Sequence, residues 1–139
     1  MNIHILYILI LLLPIFQNCG PRVEKRYWQK LLDGLDFPEG PAWDGENTLY
    51  VSNCYGSWMP KIKDNEVDTF LLAKTRNINF KNTNGLTVGK DRYIYACDFG
   101  QGKILSISPK GEVLDYIVAY KGEPLINPND LAFDPLGNL

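Results

Sequence analysis

An internal repeat constrains this chain more than any other feature of its sequence. The stretches "FPEGPAWDGENTLYVSN" (residues 37–53), "NTNGLTVGKDRYIYACD" (82–98) and "NPNDLAFDPLGNL" (127–139) align without a gap, each beginning 45 residues after the one before. Glu39, Asn84 and Asn129 share one column. Pro38, Thr83 and Pro128 precede it; Gly40, Gly85 and Asp130 follow; Trp43, Val88 and Phe133 come four places on. The pairs Leu49/Ile94, Tyr50/Tyr95 and Asn53/Asp98 hold the same offset. A fixed period of this size means that one supersecondary unit is stacked on its copies, each burying a face its neighbour would otherwise expose.

Within each unit the residue pattern alternates strand and turn. Runs at 41–43 and 86–88 open strands, Asp44-Gly45 and residues 89–91 supply turns, and 49–52 and 93–97 are rich in the types that suit a pleated surface. Further strands are expected at 61–63, 67–72, 103–108 and 113–120, with "SPKGE" turning between the last two. No window after the N-terminal segment carries a helical stripe. Units of about 45 residues have the size of a four-stranded propeller blade, and a WD40 version is disfavoured by the missing Gly-His and Trp-Asp marks. The expected fold is all-β: two blades and the opening of a third, an open part of a ring that with six blades would need about 270 residues. The segment "YWQKLLDGL" (27–35) suits a strand that closes such a ring.

Net charge is −2 with both signs scattered, so no basic stripe exists to neutralise phosphates, and nucleic acid is not an expected partner. The first twenty residues, "MNIHILYILILLLPIFQNCG", hold no Asp, Glu, Lys or Arg. Their apolar run is shorter than the about 20 residues a membrane span needs, and it reads as a secretory signal. The run closes on Cys19-Gly20, which resembles a bacterial lipoprotein signal with Cys19 as the lipidated residue. Gln17 and Asn18 are not the small residues such a site prefers, so simple cleavage and an uncleaved anchor stay open. Residues 1–19 are assigned to the signal or lipoprotein signal and 20–139 to the partial propeller. The expected location is outside the cytoplasm: periplasm, outer-membrane lipoprotein or secreted protein, touching membrane only through the signal or lipid anchor. In an oxidising compartment Cys54 and Cys97 could bridge; their spacing is no metal or redox motif, and two small buried strand residues is the favoured reading.

In a propeller the innermost strand of every blade lines the central channel, and the loop leading into it lies at one mouth. Glu39, Asn84 and Asn129 are thereby expected to converge on one axis. Carboxylate and amide oxygens without Cys or His suit a hard divalent cation, Ca²⁺ most naturally, with Zn²⁺, Mg²⁺ or Mn²⁺ as tolerable occupants. The competing reading is that Asn-Gly and Asn-Asp are ordinary turn formers. His4 is the only histidine and lies in the N-terminal segment, so no Ser-His-Asp triad, Cys-His pair or HExxH helix can be built from the residues after it.

"EGPAWD", "NGLTVGKDRYIYACDFGQGKILSI" and "PLINPNDLAFDPLGNL", in this order, resemble the first three blades of the SMP-30/gluconolactonase/LRE-like family, over about residues 35–139. The resemblance implies a six-bladed propeller with a metal in its channel. By it Glu39 is a metal ligand, and Asn129 contacts the metal or the substrate. Asn84 and Asp130 fall on the substrate side, although for Asp130 a turn former or a partner of the ligands is favoured over a direct role. Asn127 stands where many relatives have Ser. The rest of the family's site, a further Asn and an Asp that is ligand and general base, has no counterpart before Leu139. The implied activity is metal-dependent hydrolysis of a small lactone or sugar-acid ester, and a chain holding only part of the site is expected to turn over little or nothing alone. Two alternatives stay open: a non-enzymatic exported propeller that binds a ligand or a protein, and a strictosidine-synthase- or paraoxonase-like propeller, the paraoxonase-like form disfavoured because no histidine follows His4. Trp43, Trp58 and Phe133 are expected to pack between blades rather than wall a pocket.

Overall fold

The computed structural model describes residues 27–73 and 79–139. The signal segment and Cys19 lie outside them. The described residues are all-β, with no helix. In the first sheet β1 (Pro38–Trp43), β2 (Thr48–Asn53), β3 (Trp58–Lys63) and β4 (Glu66–Leu72) follow one another in space as in sequence, all antiparallel. The second sheet repeats the plan with β5 (Thr83–Val88), β6 (Ile94–Asp98), β7 (Lys103–Ile107) and β8 (Val113–Ile117). Strand β1 runs beside β5, so the sheets stack as neighbouring blades with their first strands adjacent.

The repeat survives at the level of single pairs. Pro38 faces Asn53 as Thr83 faces Asp98, and Trp43 faces Leu49 as Val88 faces Ile94. Both first strands carry an irregularity at the same place, between Glu39 and Ala42 and between Thr83 and Leu86. A bulge inserts an extra residue and bends its strand, and in the first strand Gly40 sits within it on left-handed backbone at φ 41°.

The core lies between the sheets. Ala42, Tyr50, Met59 and Leu71 meet Leu86, Ile94, Ala96, Leu105 and Ile107 there, with Phe80 from the connection. Alternation puts Ile94 and Ala96 into this core and turns Tyr95 to the opposite face, where its ring meets Phe133 edge-on at 4.9 Å between centroids. Each large side chain wholly withdrawn from water stabilises by about 1.5–3 kcal/mol. At the far end of β1 and β5 from the repeat column, the Arg92 guanidinium forks onto the Glu46 carboxylate, Nη2 to Oε2 at 3.0 Å, and ties one turn to the next.

Four expectations change. The single strand at 113–120 is broken: β8 stops at Ile117, and β9 (Ala119–Tyr120) pairs with β10 (Glu123–Pro124) around Lys121 and Gly122, whose φ of 52° and 88° make the left-handed two-residue turn that hairpins favour. Residues 27–35 form no strand. The third unit has no assigned strand, yet its turn is already built: Asp134 N–H donates to the Asn138 carbonyl at 2.8 Å as Asp44 N–H donates to Thr48 at 3.0 Å. Trp43 is 54% exposed, so of the three large aromatics named above Phe133 is the one seen packing between units. Cys54 and Cys97 are both buried and free.

Candidate functional site

The residue two places before each column member adopts left-handed backbone in all three units: Phe37 at φ 60°, Asn82 at 58° and Asn127 at 48°. The chain thus bends sharply before it enters the first strand. A side chain at the end of the second strand clamps this bend from behind. Asn53 Oδ1 accepts the Asp36 N–H at 2.6 Å, and the Asp98 carboxylate accepts the Lys81 N–H at 3.1 and 3.0 Å. Below the clamp, Cys54 N–H donates to the Phe37 carbonyl and Phe99 N–H to that of Asn82, both at 3.1 Å. At this end a bond also crosses from the second unit to the first, from Asn82 Nδ2 to the Cys54 carbonyl at 2.9 Å.

These bends deliver the column residues to adjacent backbones. A methyl group at Gly40 would lie 2.5 Å from the Asn84 carbonyl oxygen and 2.6 Å from Gly85 Cα, closer than side-chain carbons approach. Gly85 N–H donates to the Asn129 carbonyl at 2.8 Å, which pins the third unit to the second. Glu39 is half-buried, Asn84 is buried, and Asn129 and Asp130 are exposed. Asp130 Oδ1 accepts the N–H of Leu131 at 2.9 Å and lies against Gly85, where an added Cβ would collide with it. Two hydroxyls beside the column, Ser52 Oγ opposite Glu39 in the ladder and Thr83 Oγ1 next to Asn84, are buried without a hydrogen-bond partner. Among the described residues no three His, Cys, Asp or Glu gather, and the column itself offers the Glu39 carboxylate and the amides of Asn84 and Asn129.

Charge at the column is felt by its neighbours. Burial pushes the Cys54 thiol up from its ordinary value, and the carboxylates of Glu39 and Asp36 add to the shift. Burial raises Cys97 to about 11, with Asp130 contributing. Burial also raises Asp98, against the pull of the Lys81 N–H and the Lys103 charge. Both thiols are therefore protonated and inert at neutral pH. A separate cleft of about 630 Å³ opens on the far face of β6, between Tyr95, Tyr116, Phe133 and Asp134, away from the column.

Sequence reasoning aligned Asn53 with Asp98 without seeing that they clamp the bends, and it passed over Phe37 and Tyr55, which stack at this end of the first unit. The signal for the clamp was present: an Asx residue at the end of the second strand in each complete unit.

No protein-family model matches the chain, and no curated relative is similar enough to match. Solved structures do. A gluconolactonase of Xanthomonas campestris is 29% identical over 77% of this chain, with a TM-score of 0.67. A structural-genomics protein described provisionally as a gluconolactonase is 21% identical over 78% of the chain, with a TM-score of 0.66. Virginiamycin B lyase of Staphylococcus aureus shares the fold at 16% identity and a TM-score of 0.53. The described architecture is that of a partial β-propeller, and its neighbours include gluconolactonase-like propellers. The chain spans 35% of the length of the first neighbour and 37% of the second.

Proposed function

We propose that this chain supplies the first part of a metal-assisted lactone hydrolase site on an exported propeller. The observation that carries the reading is the column itself: Glu39, Asn84 and Asn129 ride on backbones in direct contact at the inner ends of successive units. Its donor chemistry fits Ca²⁺ in kind, all hard oxygen with no sulfur or imidazole. It falls short in number, because calcium takes about six to eight oxygens and this chain offers a carboxylate and two amides. The unspent hydroxyls of Ser52 and Thr83 stand beside the column as further polar capacity for water or ligand.

When bound, such a cation acts as a Lewis acid on a carbonyl oxygen. Glu39 anchors it, held in place by the bulge and by the clamp that Asn53 exerts on Asp36. Asn129 orients metal or substrate oxygen, and Asn84, buried between the units, donates or accepts at a substrate hydroxyl. Asp130 supports Asn129 through its turn. No general base is assigned to this chain; an Asp from a further blade is the expected partner. The substrate class is a small lactone or sugar-acid ester. Export, with or without lipid on Cys19, belongs to the same reading and rests on the charge-free N-terminal segment.

Calorimetric titration of Ca²⁺ into the chain tests this. Binding that Glu39→Gln weakens about tenfold or more, at least what losing an outer-shell partner of a metal ligand costs, supports the reading; binding indifferent to Glu39→Gln overturns it. The binding-module alternative is favoured instead if a chain completed with later blades binds gluconolactone without hydrolysing it.

A further inference from the structure

The first unit carries an aromatic pair that its copy lacks. Phe37 and Tyr55 stack with centroids 5.3 Å apart and planes tilted by 41°, yet stay 53% and 62% exposed. At the same offset the second unit has Asn82 and Gly100. The backbone is the same in both: the 3.1 Å bonds from Cys54 N–H to Phe37 and from Tyr55 N–H to Asp36 are matched by Phe99 to Asn82 at 3.1 Å and Gly100 to Lys81 at 3.0 Å. The fold is thus made equally well with a small polar residue and a glycine. Phe37 is a poor choice for it, because left-handed backbone crowds a bulky side chain and suits Asn. An exposed ring held at a strained position adds nothing to the core, so its return lies in what docks against it.

The pair stands where Glu39 opens β1. Phe37 precedes Glu39 by two residues, and Tyr55 lies in the loop leaving β2, whose Ser52 faces Glu39 in the ladder. We propose that Phe37 and Tyr55 form a stacking platform for the C–H face of a saturated, hydroxylated ring, a lactone or pyranose, whose oxygens turn toward the Glu39 column. This rests on the reading of that column as a small-molecule site. Aromatic faces are electron-rich and attract the weakly positive C–H groups of such a ring. Ligand sites commonly combine an apolar wall of this kind with a few polar groups that fix orientation. The Tyr55 hydroxyl adds a donor and acceptor at the edge.

Saturation-transfer NMR on the full chain tests it, with glucono-1,5-lactone and methyl β-glucoside as probes. Phe37→Asn and Tyr55→Gly install the residues the second unit already uses, so both variants keep the fold, checked by their melting curves. Ring protons are expected to take up saturation from the aromatic resonances, and the double variant to bind about fivefold more weakly with Ca²⁺ titration unchanged. Equal binding by parent and double variant overturns the platform, as does absence of transfer to either probe on the parent chain. If the parent binds no calcium while ring contact to Phe37 and Tyr55 persists, the metal reading falls and the platform stands.

Discussion

An amide and a carboxylate perform the same clamping bond at Asn53 and Asp98, and pH distinguishes them. Asp98 is 0% exposed and its pKa is raised, chiefly by burial. A folded-state pKa above the unfolded value means that folding takes up a proton: Asp98 opposes stability at neutral pH, and that opposition fades as pH falls through the folded value toward the unfolded 3.8. Asp98→Asn, which installs the residue the first unit uses, is therefore expected to match or exceed the parent in urea melts at pH 7, with the difference shrinking on acidification. Asp44 behaves in the opposite sense. Burial pulls it up, but N–H groups of Thr48, Glu46 and Asn47 outweigh that and hold it below 3.8, so its contribution is present at neutral pH and is lost as pH falls through the folded value. The thiols give a further residue-scale expectation. Cys54 and Cys97, buried and shifted upward, should resist iodoacetamide in the native state and react on unfolding, as read by peptide mass mapping.

At the scale of the strand, contact between β1 and β5 depends on a missing side chain. Gly40→Ala forces a methyl into the Asn84 carbonyl and onto left-handed backbone at φ 41°, and should cost about 2–3 kcal/mol in denaturant melts. Gly45→Ala, open on all sides but also left-handed, should cost less, about 1 kcal/mol. Much of this layer was legible in the sequence. The 45-residue offset placed the strands of both sheets because every copy solves the same packing problem, and Glu39, Asn84 and Asn129 fell in one column for the same reason. What stayed hidden was local and unrepeated. The Lys121-Gly122 turn interrupts an otherwise β-rich run, and a strand pattern does not report a backbone reversal inside it. The apolar residues at 27–35 find no partner strand among the described residues. Phe37 at a left-handed position contradicts propensity, so its backbone could not be read from its residue type.

For the molecule as a whole, the two sheets share one core and are expected to unfold together. Leu105→Ala, at a wholly buried position between them, should cost about 2–5 kcal/mol and lower a single transition rather than split it, with tryptophan fluorescence and far-UV dichroism coinciding. The outer face of the second sheet presents Leu114 and Tyr116 to solvent beside the cleft at Tyr95 and Phe133. Apolar area of this kind promotes association, so sedimentation of the chain should show concentration-dependent self-association that Leu114→Lys with Tyr116→Lys reduces. The close approach of Gly40 to Asn84 and of Gly85 to Asn129 has a last consequence. The distance between neighbouring column positions is dictated by main chain lying against main chain. Exchanging Glu39, Asn84 or Asn129 therefore alters the chemistry offered while leaving the gauge between the three attachment points unchanged, which makes this arrangement a scaffold on which specificity can drift without mechanical rebuilding.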